Sequence, residues 1–328
     1  MLDVYFPLYI LIFFSTLILT AVFEKRLIPR LTENAKQPIY TEGPRWHAKK
    51  SGTPTMGGLA FLLASSVALI IASLFALLKI SGEVGLSVII CLFYAILNSL
   101  VGICDDLKKL RKKQNAGLTP VEKLIMQTLA AMLFLFLRQL VFKDGTAISF
   151  SFGSIDLGIF YYPLALLILV GIVNCANLTD GIDGLASSVA FAVGVSLFYI
   201  SAALSIDGAI VSSAIMGAAI GFLLFNIHPA RIFMGDTGSL FFGALIASSA
   251  FTLHNPFIII PIAGVYALEG LSVILQVVYF KATKKRLFKM APFHHHLERC
   301  GWSENKICIT AILATLLFSL PVYIFYLP

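Results

Sequence analysis

The sequence predicts an all-α integral membrane protein with about ten transmembrane helices. Three observations carry that reading. Of 328 residues, 59% are hydrophobic and 12% charged, and the mean hydropathy is +0.91, far from the balance of soluble domains. The apolar residues gather in runs close to the roughly 20 residues that cross a bilayer as helix. The cations, in turn, concentrate in alternate connections between those runs, the pattern produced by retention of Lys and Arg on the cytoplasmic side.

The runs are 5–23, 56–78, 84–103, 120–142, 159–176, 185–204, 209–227, 237–254, 257–280 and 307–327. An even count places both termini on one side. With the termini outside, 21 of the 24 Lys and Arg fall in inward connections, and Lys79, Arg138 and Lys143 lie near the outer ends. The net charge of +7 is therefore first a topological asymmetry, and no nucleic-acid motif accompanies it. The first run has Asp3 and no cation ahead of it, with Glu24, Lys25 and Arg26 behind, so it reads as a retained helix and not a cleaved signal. Residues 143–158 form the one outer stretch of any length. There "AISFSFGSIDLG" alternates apolar and polar residues around Gly153 and Ser154, a signal for a small outer β-hairpin. The five cysteines lie in spans or on the inner side without a CxxC pair, which suggests neither a disulfide framework nor a zinc site. Residues 1–328 read as one polytopic domain.

Nearly every unusual polar residue collects in the inward connections. "HAKKSGTPTMGG", His47 to Gly58, combines Lys49 and Lys50 with a glycine-rich helix entry, a setting for a phosphate or simply positive-inside lysines before a close helix contact. "CDDLKK" places Asp105 and Asp106 at the end of an apolar run. Such carboxylates are costly unless solvated, paired or bound to a cation, and adjacent ones resist joint ionisation. In "VNCANLTDGIDGLA", Asn174, Asn177, Asp180 and Asp183 recur every three residues, so a helical turn would stack them on one face; a plain turn is the competing reading. "FNIHPARIFMGDTGS" sets Asp236 just before an apolar span, as a helix N-cap or as a carboxylate facing a metal on a phosphate. "PFHHHLE" contains three consecutive histidines, which point about 100° apart on a helix and are poorly arranged to share one ion. Glu269 and Gln276 share a face of the ninth run, where polar groups can also link helices.

Together these clusters describe a site at the inner boundary: carboxylates for a divalent cation, lysines and glycine-rich helix starts for phosphates, and amides to read a polar head. Mg2+ suits hard carboxylate oxygens and substrate phosphates better than zinc. The chemistry is phosphoryl transfer with one lipid-borne partner.

"GTPTMGG", "CDDLKK", "NLTDGIDGLA", "FNIHPARIFMGDTGS" and "PFHHHLE", in this order across ten spans, resemble the phospho-N-acetylmuramoyl-pentapeptide transferases of the polyprenyl-phosphate HexNAc-1-phosphate transferase superfamily. The resemblance implies a bacterial cytoplasmic-membrane enzyme that moves phospho-MurNAc-pentapeptide from UDP-MurNAc-pentapeptide to undecaprenyl phosphate. It releases UMP and requires Mg2+. By the same resemblance Asp236 is the metal ligand, and Asp105 and Asp106 lie by the lipid phosphate, one of them as the proposed base. Lys50 reaches the nucleotide side, and Lys109 and Lys123 the phosphates. Asn177, Asp180 and Asp183 line the nucleotide pocket, and Phe233 stacks on uracil. Asn226, Gln276, His294 and His295 complete the polar wall, and the family implies a homodimer. Two alternatives stand beside this: a sister GlcNAc-1-phosphate transferase, whose donor lacks the lactyl peptide, and an ion-coupled transporter. Transporters place such carboxylates near the midplane, whereas these lie mostly in the inner loops.

Overall fold

The computed structural model describes residues 2–35, 50, 52–112, 117–150 and 153–326. Ten of its helices are long and apolar enough to cross a membrane, one for each run of the sequence. They are α1 (Leu2–Asn34), α2 (Gly58–Lys79), α3 (Gly82–Lys112), α4 (Pro120–Phe142), α5 (Tyr161–Thr179), α6 (Leu185–Leu204), α7 (Ile206–Asn226) and α8 (Gly235–Ser249), followed by α10 (Gly264–Thr283) and α12 (Glu304–Tyr326). Two short helices, α9 (Ile259–Ile262) and α11 (Phe293–Arg299), complete the set.

Local sequence explains the boundaries. At the start of α4, Thr119 accepts from the Glu122 backbone N–H while the Glu122 carboxylate accepts from the Thr119 N–H, with Pro120 at the first helical position. This reciprocal cap satisfies donors that a helix start otherwise leaves bare. Ser205 caps α7 by accepting from Gly208 N at 3.0 Å. The ninth run does not form one rod. A 3-10 turn at Pro256–Ile258 leads into α9, and the helix restarts at Gly264, because Pro261 has no N–H for the ladder and Gly264 favours helix poorly.

The hairpin is present, with β1 (Ala147–Phe150) antiparallel to β2 (Gly153–Asp156) and Phe150 opposite Gly153. Gly153 and Ser154, expected at the turn, lie within β2. Residues 151–152, between the two strands, lie outside the described residues. Strand pairing sets where β2 begins, and alternation of residue types does not report it.

The bundle is organised around α8. Of its span 89% is buried, against 22% for α1. Its closest neighbour is α3, with α5 beside it, while α7 packs on α1 and α6. Phe61, Phe222, Phe241 and Phe242 meet in the core, Phe61 stacking on Phe242 at 4.3 Å between centroids. Exposed Leu, Ile and Phe side chains such as Leu63, Ile71, Leu129, Phe136, Leu271 and Leu313 clothe the outer helices, the surface a lipid solvent demands. Arg138, counted near an outer end, is buried. It donates to Asp144 at 2.6 Å, Ser87 at 3.2 Å and the Phe251 carbonyl at 3.0 Å, joining α3, α4 and the turn after α8. A cation at that depth persists because each of these bonds offsets its desolvation.

Candidate active site

Length places the first carboxylates. At 1.5 Å per residue, 31-residue α3 is about 46 Å long, more than the roughly 30 Å apolar core needs, so its last turns continue past the run that ends near 103. Asp105 and Asp106 therefore sit inside a helix, 0% and 4% exposed, and not where a helix end meets water. The α3 backbone approaches the start of α8 so closely that a Cβ on Gly102 would run into the Asp236 carbonyl.

Three aspartates converge there. Asp105, Asp106 and Asp236 each offer an oxygen within 4.8 Å of the others. Asp105 accepts from the Leu118 N–H at 2.6 Å and pairs with Lys109 at 2.6 Å and Lys123 at 3.2 Å. Asp236 pairs with Lys109 at 3.2 Å and with Lys123, and it accepts from the Asn177 amide at 3.1 Å. The same amide donates to Ser239 Oγ at 2.8 Å. Two ammonium groups thus face three carboxylates, an arrangement short of one positive charge.

Asp106 has a different part. Its carboxylate accepts from the Asp236 N–H at 3.2 Å, the Thr237 N–H at 2.9 Å and the Thr237 hydroxyl at 2.7 Å. It caps α8 from a neighbouring helix, the role the sequence assigns to Asp236 itself. Asp236 is consequently free of capping, and its carboxylate turns to the lysines. Gly235 makes the approach possible: its φ is +69°, a region L side chains avoid, and a Cβ would stand 2.6 Å from Asp106 Oδ2.

The polar stripe of 174–183 does not share one face, because α5 ends at Thr179. Asn174 donates to Gln127 at 2.7 Å, Asn177 faces Asp236, and Asp180 forms the helix end. Burial, with the charges of Asp236, Asp106 and Asp183 nearby, pushes Asp180 up to about 8. Asp183 leaves the aspartate cluster for another. Its Oδ1 accepts from Lys50 at 2.7 Å, and its Oδ2 accepts from the Ala230 N–H at 3.0 Å and stands 2.9 Å from His228 Nδ1. Lys50 also reaches Glu304 at 2.7 Å. Lys49, grouped with Lys50 in the sequence, lies outside the described residues.

Other expected wall residues serve the backbone. Asn226 accepts from the Gly184 N–H at 3.0 Å and donates to the Ile232 carbonyl at 2.8 Å, locking two loops together. Gln276 accepts from the Phe288 N–H at 2.8 Å and holds the chain beyond α10. Half-buried Phe233 bonds through its backbone to Pro54 and Gly57, both at 2.9 Å, fixing the helix entry before α2. His294 is fully buried. Glu269 lies 3.1 Å from its Nδ1 and accepts from its N–H, while its Nε2 has no hydrogen-bond partner among the described residues and abuts Gly181. His295 Nδ1 stands 2.6 Å from Glu298. His294 thus packs α11 onto the loop that carries Asp180.

Sequence reasoning missed Glu304 and His228. An acidic residue in a first helical turn is too ordinary to mark a site, and His228 lay inside a quoted motif without a role.

The donor set suits a hard cation. All three aspartates offer oxygen, and the buried Asp105 carboxylate has Lys109 on Oδ2 at 2.6 Å and Lys123 on Oδ1 at 3.2 Å as its cationic neighbours. Chemically, the arrangement can hold phosphates against two lysines and a metal on Asp236.

Comparison with known proteins agrees with this chemistry. Residues 87–254 match the model of Glycosyl transferase family 4, and residues 50–62, which open with Lys50, match the phospho-N-acetylmuramoyl-pentapeptide-transferase signature 1. The chain is 44% identical to the phospho-N-acetylmuramoyl-pentapeptide-transferase of Halalkalibacterium halodurans, over 95% of this chain and 94% of that one. It is 44% identical to that of Clostridium perfringens strain SM101 over 86% and 85%, and 41% identical to that of Oceanobacillus iheyensis over 95% of each. With the aspartate cluster inside the matched region and near full-length identity above 40%, the chain belongs to the phospho-N-acetylmuramoyl-pentapeptide-transferase family.

Proposed function

We propose that the chain transfers phospho-MurNAc-pentapeptide from UDP-MurNAc-pentapeptide to undecaprenyl phosphate, forming lipid I and UMP, the first membrane step of peptidoglycan synthesis. The observation that carries the site assignment is the joining of Asp105, Asp106 and Asp236 with Lys109 and Lys123. Family membership selects the muramyl donor over the sister GlcNAc-1-phosphate reaction.

Asp236 holds Mg2+ in this reading, with Asp105 and Asp106 beside it. When bound, the ion offsets negative charge on the diphosphate as its bond breaks. Lys109 and Lys123 give up part of their pairing with Asp105 and Asp236 to grip substrate phosphates. Asn177 orients the Asp236 carboxylate. Asp180, protonated, offers a hydrogen bond to the nucleotide without adding charge, and Phe233 stacks on uracil.

The lipid phosphate attacks the donor β-phosphate directly, with Asp105 positioning it. Two considerations support this over a covalent aspartyl intermediate. Asp105 is held by Leu118 N–H, Lys109 and Lys123, and Asp106 is committed to capping α8, so neither is a ready nucleophile. A phosphate monoester, with a second pKa near 6, is also largely ionised without a strong base. A trapped phospho-aspartyl adduct would overturn this step.

The enzyme works as one polytopic domain of the bacterial cytoplasmic membrane, both termini outside and the aspartates facing the cytoplasm, as the cation distribution supports. The homodimer is carried over from the family resemblance. The test uses purified protein in detergent with undecaprenyl phosphate and Mg2+, offered UDP-MurNAc-pentapeptide or UDP-GlcNAc separately. Chelator-sensitive UMP release with the muramyl donor alone is expected. Release with UDP-GlcNAc alone would move the chain to the sister activity, and ion flux without nucleotide turnover would favour a transporter.

A further inference from the structure

Glu304 belongs to none of the motifs that mark the site, yet it is wired into it. It occupies the first turn of α12. Its Oε2 accepts from Lys50 Nζ at 2.7 Å and from the Asp183 backbone N–H at 2.7 Å, and its Oε1 lies 3.4 Å from His228 Nδ1. Lys50 in turn donates to Asp183 Oδ1 at 2.7 Å. One carboxylate therefore touches the entry to α2, the α5–α6 turn and the α7–α8 loop at once. Its side chain is 12% exposed and lines a cleft of about 560 Å³ with His228, Trp302 and Asn305.

The geometry constrains Lys50 in a way its own sequence neighbourhood does not. A lysine ammonium is a point charge on a flexible four-carbon stem with three donors. Two of the three are placed by Asp183 and Glu304, which fixes the direction of the remaining one. The Asp183 N–H bond likewise sets the 180–184 turn, and with it Asp180.

We propose that Glu304 is a positioning residue for donor binding, aiming Lys50 and fixing the Asp180–Gly184 turn from the opposite end of the chain. This rests on the reading that Lys50 and Asp180 serve the donor's nucleotide side.

The test is steady-state kinetics of the full-length protein with UDP-MurNAc-pentapeptide, undecaprenyl phosphate and Mg2+. Glu304→Gln keeps the shape and removes the charge. It is expected to raise the donor KM about tenfold, the order of one weakened charge-assisted hydrogen bond, with kcat and the KM for undecaprenyl phosphate within about twofold of wild type on the same scale. Lys50→Met is expected to raise the donor KM as well, and the double variant to fall short of the product of the two single effects, since contacting residues are non-additive. Equal losses for both substrates, a fall in kcat alone, or additive effects would overturn the proposal. Should Glu304→Gln not fold, Glu304→Asp is read by the same split. An unchanged donor KM in Lys50→Met would instead strike at the nucleotide-side reading on which the proposal rests, while wild-type turnover checks the activity itself.

Discussion

Replacing Asp106 by Asn separates positioning from chemistry in the aspartate cluster. The wild-type carboxylate uses both oxygens: Oδ2 accepts from the Thr237 N–H and hydroxyl, and Oδ1 from the Asp236 N–H. Asparagine has one acceptor oxygen. Keeping it on Thr237 turns its NH2 toward the Asp236 N–H, so a bond becomes a donor-donor clash, and at 4% exposure water does not fill the gap. A hydrogen bond to a charged group is worth about 1.5–3 kcal/mol. Relief of repulsion between the Asp106 and Asp236 carboxylates works the other way and leaves a net loss of about 1–2 kcal/mol at the α8 start. Because Asp236 is the adjoining residue, a displacement of about 1 Å there is expected to cost about a hundredfold in kcat. The assay pairs kcat for UMP release with hydrogen exchange at the amides of Asp236 and Thr237, which should lose protection together with activity. Lost activity with unchanged protection would show that Asp106 acts on substrate directly, and wild-type values of both would refute the capping argument.

Asp236→Asn is expected to lower kcat by more than the roughly 10–100-fold that outer-shell losses cost at metal sites, while its thermal midpoint in detergent stays within a few degrees of wild type; UMP release and a melting curve check this. Asp180 supplies a pH dependence. Its pKa is raised from the ordinary 3.8 to about 8, so the folded protein holds a proton that the unfolded chain releases between those values, and stability falls as pH rises across that window. Above about 8 the group ionises beside Asp236, Asp106 and Asp183, and donor KM should rise with it. Asp180→Asn, neutral at every pH, should flatten both trends in pH-resolved kinetics and melting. Chelation should abolish turnover and added Mg2+ restore it, with the zinc-preferring outcome excluded by a metal titration.

Apolar run length alone determined the number of spanning helices, because a lipid solvent acts on each segment by itself. The distribution of Lys and Arg likewise specified the proposed orientation, and the polar motifs brought Asp105, Asp106 and Asp236 under one functional reading, to which the family resemblance added Lys109 and Lys123. These properties are local in the chain. What each polar group bonds to is not local. Asp106 caps a helix 130 residues away, and Glu304 meets Lys50 across 254. Asn226 and Gln276 turn out to serve the backbone, and the stripe from Asn174 to Asp183 divides between two clusters because α5 ends at Thr179. Only tertiary packing decides such partners, since a buried donor or acceptor must be satisfied by whatever the fold brings within reach, and residue type fixes what a side chain can bond but not which neighbour it receives.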